Sequence, residues 1–121
     1  MKLTEKAKEA FEKWLEKEYK FLLSEVKGTG VDVLTWIEDS SMFNALIIEW
    51  FESVNLFIGV YTWRTCGNEK ETFYWYNVKD INQNSLIEET YEESLITSRN
   101  KSRQEATNIA IEKANKIYNN N

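Results

Sequence analysis

The chain has 121 residues, a net charge of −5, no histidine, no proline and a single cysteine, Cys66. That length suits one hydrophobic core and excludes a core plus an independent second domain, and 42% hydrophobic with 14% aromatic residues is far from the composition of a disordered chain. Without histidine the commonest general base, the usual zinc nitrogen ligand and the ordinary pH switch are all missing, so no metal, no cofactor and no catalytic residues are expected, with carboxylate-only catalysis through a pair such as Glu88 and Glu92 as the one enzymatic alternative.

From Thr4, a candidate N-cap, apolar residues recur at Ala7, Ala10, Phe11, Trp14, Leu15, Phe21, Leu22 and Val26. This three-to-four spacing predicts one long amphipathic helix closed by Gly28 and Gly30, with Glu9–Lys13 and Glu16–Lys20 as pairs on its solvated face. The charged start at Met1-Lys2-Leu3-Thr4-Glu5 is unlike a signal peptide, and no apolar run approaches the roughly 20 residues that cross a bilayer, so a cytoplasmic protein without membrane contact is expected. Asp32 opens a segment that reads either as a short helix or as extended chain, with helix preferred. After Ser40 and Ser41, candidate caps, Phe43, Leu46, Ile47, Trp50, Phe51 and Val54 form the stripe of a second helix that stops at Asn55.

Between Leu56 and Lys79 the residues turn β-branched and aromatic, interrupted by Cys66-Gly67-Asn68-Glu69, which predicts an antiparallel hairpin. A third strand over 86–96 follows the polar turn Asp80-Ile81-Asn82-Gln83-Asn84. Ser102-Arg103-Gln104-Glu105 is a capping box for a last helix with Ala106, Ile109, Ala110, Ala114 and Ile117 inward, its alanines small enough for close approach to the sheet, while Asn119–Asn121 are expected to fray. The fold class is therefore α+β, in the order α-α-β-β-β-α: an N-terminal amphipathic helix over 1–30 and an α-β-β-β-α unit over 40–119.

Charge is unevenly spread. Residues 1–30 hold seven Lys against six acids (+1), 31–98 three basic residues against twelve acids (−9), and 99–121 five basic against two acidic (+3). The acidic middle suits a basic partner. Within it, Glu88, Glu89, Glu92 and Glu93 could face a partner or a divalent cation, but strand alternation divides them between two faces and assembles no tight metal site. Both faces of the hairpin are largely apolar: Phe57, Gly59, Tyr61 and Trp63 alternate with Leu56, Ile58, Val60 and Thr62, and Phe73, Trp75 and Asn77 with Tyr74, Tyr76 and Val78. Two readings stand. Either the first helix covers the second face and makes Trp63 and Trp75 core residues, or Trp63, Arg64, Phe73 and Trp75 form an exposed surface for a partner or a second copy.

Over 40–119 the order α-β-β-β-α resembles the double-stranded-RNA-binding domain, and Lys101-Ser102-Arg103-Gln104-Glu105-Ala106-Thr107-Asn108-Ile109-Ala110-Ile111 is similar to that family's Ser-Lys-Lys-x-Ala-Lys-x-x-Ala-Ala helix start. The positions of the family's phosphate-facing lysines hold Arg103, Gln104 and Thr107. This resemblance implies RNA binding through Lys101, Arg103 and Lys113. In overall pattern, with Trp50-Phe51 closing one helix, an aromatic hairpin, Thr90-Tyr91-Glu92-Glu93 and a terminal helix, the chain also resembles small proteins of bacteriophages and mobile elements. That likeness implies a non-enzymatic, anti-CRISPR-like inhibitor in the host-cell cytoplasm, binding a protein or ribonucleoprotein.

Overall fold

A computed structural model describes residues 3–20, 42–64, 72–88 and 102–121. Helices α1 (Glu5–Glu18), α2 (Met42–Ser53) and α3 (Arg103–Asn119) accompany strands β1 (Phe57–Arg64), β2 (Thr72–Lys79) and β3 (Ser85–Glu88). The strands form one antiparallel sheet in the order β1-β2-β3, giving the α+β arrangement α-α-β-β-β-α with the C-terminal helix on the sheet.

In α2 the predicted stripe is realised: Phe43, Leu46, Ile47, Trp50 and Phe51 are all buried, while Val54 is only half-buried. The helix stops where Asn55 takes a left-handed φ of 65°, a conformation that asparagine tolerates better than branched residues. This reversal aims Leu56 N at Phe51 O (2.9 Å) and Asn55 N at Glu52 O (3.1 Å), so two terminal carbonyls gain donors. Leu56 and Phe51 both enter the core at the same corner.

In the hairpin, Gly59 pairs with Asn77, Tyr61 with Trp75 and Trp63 with Phe73, so these residues share one face, called the odd face below. Ile58, Val60 and Thr62 share the other with Val78, Tyr76 and Tyr74. Helix α3 packs on this even face, with Ala106 and Ala110 completely buried. Its buried set also includes Ile111, Ala114 and Asn115, whereas the expected Ile109 and Ile117 are half-buried. Ser102 caps it, its hydroxyl accepting from Glu105 N at 3.1 Å. The β2–β3 turn is fixed by Asp80, whose Oδ1 accepts from Asn82 N (2.9 Å) and Asn84 N (3.0 Å), with Gln83 at a φ of 66°.

Helix α1 departs from the sequence reading. It ends at Glu18, because Tyr19 leaves helical geometry at φ −125° and ψ 37°, and it packs on α2 and α3 rather than across the odd face of the sheet. Leu3, Ala7, Phe11 and Leu15 join one core with Phe43, Trp50, Val78, Ile111 and Ala114. Its Glu9–Lys13 pair does not form; among the described residues the ion pair present is Lys116–Glu112 at 3.7 Å, an exposed contact worth little.

The start of α1 is held from an unexpected direction. Thr4 occupies the N-cap position without a side-chain cap bond. Asn119 Oδ1 instead accepts from Ala7 N at 2.8 Å, while Asn119 Nδ2 donates to Thr4 O at 3.0 Å. Buried Asn115 adds two bonds, accepting from Thr4 N and donating to Thr4 Oγ1, each at 3.0 Å. Asn119 therefore belongs to α3 and clasps the other end of the chain instead of fraying. The predictions at Gly28, Gly30, Asp32, Ser40, Ser41 and Cys66-Gly67-Asn68-Glu69, and that of a third strand beyond Glu88, lie outside the described residues.

Two outcomes are expected in urea unfolding. Asn119→Ala removes a cap and costs about 1–2 kcal/mol, measurable as a lowered midpoint at constant slope. Asn55→Val forces a branched residue into the left-handed region and costs about 1–2 kcal/mol, whereas Asn55→Gly is neutral or stabilising.

Candidate partner-binding surface

Register brings Gly59, Asn77 and Glu88 into one row across β1, β2 and β3 on the odd face. The neighbouring pair is Tyr61 and Trp75, whose rings stack with centroids 4.4 Å apart at 27°. Such a pair contributes about 0.5–1.5 kcal/mol beyond area burial. Tyr61 is nevertheless 39% exposed, and Trp75 is half-buried.

Tyr61 leans back along its strand over Gly59. A Cβ at Gly59 would lie 2.7 Å from Tyr61 Cε2 and 2.7 Å from Asn77 Oδ1, with the Tyr61 hydroxyl nearer still, so with the ring in this position a larger residue would have to displace Tyr61. Asn77 is 3% exposed and its Oδ1 has no hydrogen-bond partner among the described residues. Leaving such an acceptor unpaired costs about 1–3 kcal/mol. Glu88, directly across from Asn77, is exposed and forms no ion pair among the described residues.

The structure distributes the sequence-predicted site residues as follows. Phe73, Trp75 and Glu88 share the odd face, and Trp63 sits opposite Phe73 in register, its side chain lying outside the described set. Phe73 is buried, at 1% exposure, and is a packing residue rather than a contact surface. Arg64 pairs with Thr72 at the exposed end of β1, which alternation places on the even face, away from Trp75. Glu89, Glu92, Glu93 and Lys101 lie outside the described residues. Sequence reasoning placed Gly59 and Asn77 in the strand alternation without giving either a role; a polar residue amid Tyr-Trp-Tyr and a glycine inside an aromatic strand were the available signals.

Arg103 Nη2 donates to Thr62 Oγ1 at 2.8 Å, and its guanidinium lies 5.5 Å from the centre of the Tyr74 ring. It thus ties the start of α3 to the even face. Lys113, ten residues further along α3, is half-buried. Among the described residues no three Cys, Asp or Glu side chains gather to hold a metal ion, and no helix is long and apolar enough to cross a membrane.

Outside this surface, Tyr19 is the group among the described residues whose ionisation is displaced. Its hydroxyl donates to Glu49 Oε2 at 2.7 Å, and this bond, then burial, then the charges of Glu49 and Glu18, push the phenol above its ordinary value. Because the folded value is raised, the contribution to stability is complete below the ordinary phenol range and is lost as pH rises through the folded value. Following tyrosinate absorbance during alkaline titration, Glu49→Gln should bring Tyr19 back towards the ordinary value, and Tyr19→Phe should remove the late-titrating component.

Comparison of the chain with protein-family models, with curated proteins and with solved structures finds no match.

Proposed function

We propose that this chain is a non-enzymatic accessory protein of phage type that binds a macromolecular partner through the odd face of its hairpin and inhibits a host defence complex such as a CRISPR effector. The observation that carries the reading is the Tyr61–Trp75 stack: an aromatic pair, partly open to solvent, near the Glu88 carboxylate, which forms no ion pair among the described residues. Aromatic side chains on a stiff strand supply large contact area at little entropic cost, which is what binding hot spots require.

The charge pattern supports a basic or ribonucleoprotein partner, since three basic residues face twelve acidic ones over 31–98. Occlusion of such a surface needs no nucleophile, base or metal. The engagement of Arg103 with Thr62 and Tyr74 favours a protein-facing sheet over RNA contact through α3.

The reading is tested in cells carrying an active CRISPR system and challenged with a targeted phage. Expression of the chain should raise plating efficiency, and Tyr61→Ala should reduce that gain at least about tenfold, the equivalent of about 1.4 kcal/mol of binding. Unchanged plating with the parent chain, across the effector types tried, would contradict the proposal.

A further inference from the structure

The row Gly59–Asn77–Glu88 has a chemistry of its own. Asn77 presents a buried acceptor that meets no donor among the described residues. The space above Gly59 is filled by the hydroxyl and ring edge of Tyr61 and by Asn77 Oδ1, so it opens to another group only when Tyr61 moves aside. Glu88 stands across from Asn77 with an exposed carboxylate, and two aromatic rings wall the neighbouring register position.

We propose that this row, with Tyr61 as its movable cover, is a binding slot for the guanidinium of an arginine side chain on the partner. The slot asks for a hydrogen-bond donor at Asn77, a plane against Trp75 and a positive charge near Glu88. Guanidinium meets all three: it is planar, carries donors and no acceptor, stacks on aromatic faces and sheds water more readily than an ammonium. A lysine ammonium is compact and strongly hydrated and cannot lie flat between ring and strand.

Tyr61 is the cover because it already has solvent on one side, so its ring can swing outward on the fast timescale of exposed rotamers. The incoming N–H then replaces the Tyr61 hydroxyl above Gly59 and donates to Asn77 Oδ1, and the cationic plane stacks on Trp75. Lys79 lies on the same face two residues along β2, opposite Phe57, and makes no ion pair with Glu88 among the described residues, so the carboxylate is left for the ligand.

This inference rests on the odd face being the partner surface, and its test is independent of the partner. Isotope-labelled protein is titrated with n-butylguanidinium, n-butylammonium and the neutral isostere N-butylurea, while the Trp75 indole and Asn77 side-chain amide resonances are followed by NMR. The guanidinium should shift both resonances saturably and bind at least about fivefold more tightly than either analogue. Glu88→Gln should weaken it about two- to fivefold, the span of an exposed ion pair, and Gly59→Ala should abolish it by filling the slot. Where Gly59→Ala loses spectral dispersion, the probe series and Glu88→Gln decide.

Three probes shifting the resonances alike, or none shifting them, would overturn the slot. A silent guanidinium alongside plating that still depends on Tyr61 removes the slot and leaves the interface. Saturable guanidinium binding with plating indifferent to Tyr61 upholds the slot and removes the inhibitor reading.

Discussion

Phe11 touches aromatic rings on both sides of the helical layer. Its centroid lies 6.0 Å from Trp14 on its own helix, and 6.0 Å and 5.9 Å from Phe43 and Trp50 on α2, the latter two edge-on. Trp50 continues the chain of rings to Tyr118 of α3 at 5.1 Å. Phe11 is wholly buried, and burial of a side chain of this size contributes about 1.5–3 kcal/mol. This cluster decides where α1 goes, and the position of α1 decides what the sheet shows to the outside. With all three described helices gathered on the even side, the odd face receives no described helix.

The asparagine clasp completes that arrangement. Packing alone locates α1 but does not fix its first turn, where backbone amides lack internal partners. Glu5 takes a φ of 53° there, a left-handed conformation costing about 1–2 kcal/mol. The carboxamide of Asn119 offsets this by accepting from Ala7 N and donating to Thr4 O at once, which a simple hydroxyl cap on Thr4 would not do. Asn44 donates to Asn108 at 3.1 Å, so the α2–α3 contact is likewise closed by an amide pair.

Local signals were legible in the sequence and long-range ones were not. The α2 stripe, the Asn55 stop, the hairpin alternation, the Asp80 turn and the Ser102 cap each depend on residues within a few positions of one another, where helical or strand period leaves a readable trace. The break at Tyr19 was not legible because the apolar spacing runs through it without a stop signal, and the expected continuation through Phe21, Leu22 and Val26 lies outside the described residues. Its packing partner stayed open between two readings because an amphipathic helix announces that it has a buried face, not what lies against that face. Asn119 read as a frayed end because its partners, Thr4 and Ala7, stand more than a hundred residues away. Of the candidate site, the aromatic character of the hairpin was legible. The row Gly59–Asn77–Glu88 needed the register of both strand pairs, and the register of β3 is displaced by an irregularity between Val78 and Lys79.

Helix α1 is an integral part of the core, and the three described helices occupy one side of the sheet. Native-state hydrogen exchange tests it most directly. Amides in the middle of α1, around Phe11 and Leu15, should exchange with the same opening free energy as those of α3 around Ile111, matching global unfolding. Exchange of α1 amides near intrinsic rates, with α3 still protected, would contradict the account.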